Sequence, residues 1–171
     1  NGQNEVTIAP ETVQPLRKSI GKGYFTDELL FEKIELVSKQ KMNLTLYYLC
    51  GLVEEHKLSI SQFIKHIDRI SDYIQDDTNV NIHYNPLFPK AQTPMQKYKM
   101  LNLDIIRECY GILKEKLSVD KRFSITSIID DTLAFYQPIL SLCDERVGHA
   151  LYQLADIDNP SEEEWKLAFR E

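Results

Sequence analysis

The chain has 171 residues, of which 43% are apolar, 27% charged and 10% aromatic, and these proportions exclude a disordered or collagen-like polypeptide. A net charge of −6 and a pI near 5.3 argue against a general binder of phosphate backbones. No apolar run approaches the ~18 residues of a membrane span, so neither nucleic acid nor membrane is an expected partner.

The polar stretch 1–9 carries no signal-peptide pattern and reads as a flexible lead-in. Between Pro10 and Ile20 a short helix is expected, interrupted or started at Pro15 and closed by Gly21 and Gly23. Thr26 then caps a helix whose first turn holds Asp27 and Glu28, with Leu29, Leu30, Ile34 and Val37 along one stripe. Residues 44–53 are apolar nearly all round, which predicts a helix packed on several sides. Ser59 and Gln62 form a capping-box pair ahead of Ile60, Phe63, Ile64, Ile67, Ile70 and Ile74, a stripe at three and four.

After Asp76 the pattern collapses into a loop over 77–93, and Val80 to Tyr84 is too short a strand-like stretch to suggest a sheet. Thr93, Pro94 and Gln96 predict the start of a helix over 94–117. From Ile125 to Leu154 the apolar residues keep one helical phase across Pro138, which favours a single bent helix. Asn159 and Pro160 open a terminal helix with Glu162, Glu163 and Glu164 in its first turn and Trp165 and Phe169 on one face. The expected architecture is an all-α, single-domain irregular bundle of six or seven helices over 10–158, followed by the terminal helix 159–171. That helix reads as cut off, the expectation being a piece of a longer polypeptide.

Catalytic and cofactor motifs are missing: there is no GxGxxG, Walker loop, GxSxG or HExxH. His56, His66, His83 and His149 are scattered, and no metal or cofactor is expected. His66 falls at the border of an apolar face, where a structural or solvated imidazole is the ordinary reading. Adjacent carboxylates such as Glu54 and Glu55 point about 100° apart on a helix and cannot share one metal. Cys50, Cys109 and Cys143 lack CxxC spacing and lie in apolar runs, which predicts reduced core thiols and a cytoplasmic location. Charge is uneven: 1–76 hold 9 basic and 11 acidic residues, 77–123 hold 8 and 5, and 124–171 hold 3 and 10.

The expected function is a non-enzymatic protein-interaction or regulatory module, acidic and helical, whose partner is another protein or a second copy. Its partner-binding candidates are His83, Tyr84, Leu87 and Phe88 in the 77–93 loop, because a loop beyond about 12–15 residues is functional or disordered. Trp165 and Phe169 on the terminal helix join them, with docking onto the chain's own bundle as the expectation. The alternative is a ligand-sensing bundle with an aromatic pocket lined by Tyr47, Tyr48, Tyr98, Tyr110 and Tyr136.

Overall fold

Glu5–Glu11 (β1), Asn43–Cys50 (β2), Val80–Pro86 (β3) and Phe123–Thr126 (β4) pair in the order β1-β2-β3-β4, every pair parallel. The computed structural model describes residues 3–52, 56–127 and 131–170. The all-α helical-bundle expectation is therefore overturned: the chain is an α/β fold.

The physical reason is plainest at β2. β2 carries Tyr47 and Leu49 on its outward side as well as Leu44, Leu46 and Tyr48 on its core side, so it reads as a continuous apolar run that periodicity cannot tell from a buried helix. Leu44, Leu46, Tyr48 and Cys50 point one way from this strand and are buried, while Tyr47 points the other way and is exposed. The lead-in expected over 1–9 instead contains most of β1, paired with β2 from Glu5↔Asn43 to Ile8↔Leu46. The expected 77–93 loop contains β3, whose seven residues alternate strictly between buried and half-buried.

Helices connect the strands. Gln14–Arg17 (α1) continues into a 3₁₀ turn at Lys18–Ile20 and stops at Gly21, whose φ of 77° suits a residue without a side chain. Asp27–Lys39 (α2) starts where Thr26 accepts a hydrogen bond from the Leu29 amide at 3.2 Å. His56–Ser71 (α3) and Leu103–Leu117 (α4) follow, α4 being capped by the Asn102 side chain. The helix expected over 94–117 is thus shorter, since Pro94–Lys97 is one 3₁₀ turn that ends in extended backbone at Tyr98.

The expected bent helix from 125 also divides. Ile125 belongs to β4, Asp131–Leu142 (α5) carries Pro138 inside it, and Val147–Leu154 (α6) is separate. The break is made by Asp144, whose carboxylate accepts from the Arg146 amide at 3.1 Å and pairs with its guanidinium at 2.8 Å. Glu162–Ala168 (α7) opens with a capping box between Ser161 and Glu164.

One apolar core holds Leu30, Phe31 and Ile34 of α2, Phe63, Ile67 and Ile70 of α3, and Ile106, Cys109 and Leu113 of α4. The same core takes Leu44, Leu46 and Tyr48 of β2, Val80, Ile82 and Tyr84 of β3, and Phe123 of β4. All three helices therefore cover one face of the sheet. A smaller core joins Ala150 and Leu154 of α6 to Trp165 and Ala168 of α7.

Candidate ligand-binding face and rim

Because strand side chains alternate, the residues between the core positions project from the face away from α2, α3 and α4. These are Glu5 and Thr7 on β1, Thr45, Tyr47 and Leu49 on β2, Asn81, His83 and Asn85 on β3, and Ser124 and Thr126 on β4. Leu49 is the single aliphatic side chain among them. Strand register sets them in rows: Thr7, Thr45, Asn81 and Ser124 form one, and Tyr47, His83 and Thr126 form the next toward the carboxyl ends.

The rows are joined by specific contacts. The Tyr47 and His83 rings stack at 4.5 Å between centroids, with planes 14° apart. Ser124 Oγ donates to Asn81 Oδ1 at 3.2 Å, and Asn81 Nδ2 donates to His83 Nε2 at 3.1 Å. This direction of donation leaves His83 Nδ1 to carry the imidazole proton. The Thr45 hydroxyl donates to the Glu5 carboxylate, and Thr45 is buried. The result is a polar wall with one aromatic pair and carboxylate, amide, hydroxyl and imidazole groups within a few strand spacings.

The rim above this wall is built by the segments leaving the strands. Gly51 ends β2 with a φ of 91°, and a Cβ there would lie 3.1 Å from that of Leu101, so a side chain is disfavoured twice over. Beside it a hollow of about 730 Å³ is bounded by Gly51, Leu52 and the stretch from Lys97 to Asn102. A second cavity, of about 370 Å³, lies between the segments after β1 and β3.

Buried charges hold the segment after β1. The Arg17 guanidinium is fully enclosed, pairs with Asp27 at 2.9 Å and donates to the carbonyls of Thr12 at 2.9 Å and Phe25 at 2.8 Å. Asp27 also meets Arg69 at 3.3 Å and lies 3.7 Å from His66 Nδ1. A carboxylate on that side favours the proton on Nδ1, so Nε2 accepts from the Tyr48 hydroxyl at 2.8 Å. Burial pushes the Tyr48 phenol up, and it stays protonated. For Asp27, burial works against ionisation, but His66, Arg17 and Arg69 together hold its carboxyl below the usual range.

The fold separates the residues singled out from the sequence. Tyr47 and His83, expected in different roles, are brought together on the open face. Tyr48 and Tyr84 point into the helix-covered core and cannot line an open pocket. Leu87 and Phe88 line the smaller rim cavity, and Tyr98 lines the larger. Tyr110 is half-buried on α4, its hydroxyl 3.4 Å from the Ile125 carbonyl. Tyr136 stacks on Trp165 at 4.7 Å and Trp165 on Phe169 at 5.6 Å, so these three pack with the chain's own terminal helices.

Sequence reading missed Glu5, Thr45, Asn81 and Ser124 on the face, and Arg17 beneath the rim. The alternation Val80, Asn81, Ile82, His83, Tyr84, Asn85 was the available signal for β3 and its outward residues. A lone arginine among solvent-type residues carries no such trace. Among the described residues, no group of three or more His, Cys, Asp or Glu side chains could hold a metal ion. No described helix is long and apolar enough to cross a membrane.

Comparison with known proteins finds no matching family model, no matching curated protein and no matching solved structure.

Proposed function

We propose that the chain is a ligand-binding α/β unit whose sheet face away from α2, α3 and α4 forms one wall of a site for a small polar molecule. The observation that carries this reading is the composition of that face. Purely parallel sheets are covered on both sides and are correspondingly apolar. Here one side bears the stacked Tyr47 and His83 and the Ser124–Asn81–His83 relay of hydrogen bonds. Ligand sites in parallel α/β sheets lie at the carboxyl ends of the strands, and the Tyr47–His83 row is the one toward that end. The reading is of recognition rather than catalysis, because His83 is the single imidazole on the described face and Asn81 engages its Nε2.

A thermal-shift screen with nucleosides, aromatic amino acids, sugars and hydroxy acids tests it. A compound that raises the melting temperature of the parent, but not of Tyr47→Ala or His83→Ala, supports the face as the site. A compound that stabilises all three proteins equally places binding elsewhere.

A second reading, a protein-interaction or regulatory module, draws on the terminal helices. Leu142, Leu151, Tyr152 and Leu167 are exposed there, Tyr152 at 85%, in the acidic third of the chain. In either reading the three cysteines, none in a disulfide, suit a reducing compartment such as the cytoplasm.

A further inference from the structure

The 370 Å³ cavity at the rim is separate from the open face, and its surroundings differ in charge from the rest of the chain. Residues 12–26 contain Arg17, Lys18 and Lys22 and no carboxylate; residues 87–103 contain Lys90, Lys97 and Lys99 and no carboxylate. These two segments face each other across the cavity in a chain whose net charge is −6. Lys22 is engaged by Glu11 at 2.9 Å. Among the described residues, Lys18, Lys90, Lys97 and Lys99 have no acidic partner.

Both walls are fixed in advance. The Arg17–Asp27 pair and the bonds from Arg17 to the Thr12 and Phe25 carbonyls hold the first. The second is tied by the Leu87 amide to the Cys50 carbonyl at 2.8 Å and by the Ala91 amide to the Ser141 carbonyl at 3.0 Å. Ile20, Leu87, Phe88, Pro94 and Met95 make the lining largely apolar, with Lys90 as its cation.

We infer that this cavity binds a small amphiphilic carboxylate, its hydrocarbon body against Phe88 and Met95 and its head paired with Lys90. An apolar lining rewards burial of a body that has no hydrogen-bonding groups of its own. One cation at the lining matches a singly charged head, and the absence of carboxylates from both segments removes repulsion of an anion.

The test titrates octanoate, octanol and octylammonium into the 171-residue chain and follows backbone amides at Gly21, Phe88 and Ala91 by NMR. Octanoate is expected to bind saturably, octanol about tenfold or more weakly, and octylammonium not at all. Lys90→Gln brings octanoate to the level of octanol, and Met95→Trp fills the cavity and abolishes both, with melting unchanged. Absence of saturable octanoate shifts at these amides, equal affinity for octanol, or binding that survives Met95→Trp overturns the inference. Shifts at Tyr47 and His83 report on the sheet face instead, so this cavity and that face fail or stand separately.

Discussion

Arg17 and Asp27 meet at 2.9 Å with the guanidinium wholly enclosed, and this buried pair joins the segment after β1 to the first turn of α2. A carboxylate suits that turn because the helix dipole is positive there. Removing one partner of such a pair leaves the other charge buried and uncompensated, at a cost of about 3–5 kcal/mol. Asp27→Asn is therefore expected to melt well below the parent at neutral pH. Because the folded-state pKa lies below the ordinary value, the stabilisation is present above about pH 4 and is lost as pH falls through the folded value. Melting curves from pH 7 to pH 2 should show the gap between parent and variant closing in the acid range; a constant gap would contradict the ion-pair role.

The Tyr47–His83 stack belongs to the surface, so its energetic weight is small. Tyr47 is 37% exposed and His83 half-buried. A double-mutant cycle on Tyr47→Ala and His83→Ala, read by denaturant unfolding, should return a coupling of about 0.5–1.5 kcal/mol. A coupling near zero would mean that the rings do not stack in solution.

The thiols divide by environment. Cys50 and Cys109 are buried, and hydrogen bonding to Cys50 together with burial pushes the Cys109 thiol up. Cys143 is exposed. Thiol titration without reductant should label one cysteine rapidly in the native protein and three after denaturation. One denatured thiol in place of three would reveal a disulfide within the chain.

Trp165 is buried between Tyr136 and the α6 residues Ala150 and Leu154. Trp165→Ala should cost about 3–5 kcal/mol in the terminal helical unit, seen as loss of hydrogen-exchange protection in α6 and α7. Unchanged protection there would mean that α7 leaves its groove in solution.

Helices with one wet side were legible from the residues. In α2 and α3 the apolar stripe alternates with charged positions such as Glu32, Lys65 and Asp68, and the stripe is local information. Strands depend on partners distant in the chain: Thr45 pairs with Asn81, and Asn81 with Ser124. Nothing near Leu44 or Leu46 in the sequence records those neighbours, and a strand with Tyr47 and Leu49 on its outward side imitates a buried helix. Tyr47 and His83 each stood out as aromatic or titratable residues. Their meeting is a property of the β2–β3 register, which no spacing along the chain expresses.

Whether a ligand seats on the wall of polar side chains is read from a chemical-shift map. The isotopically labelled chain would be titrated with the most stabilising compound of the screen while side-chain signals are followed. Saturable shifts are expected at Tyr47, His83, Asn81 and Thr126, with little change at Tyr73 or Tyr152 on other surfaces. Shifts confined to those other surfaces, or none on the sheet face at saturation, would contradict it.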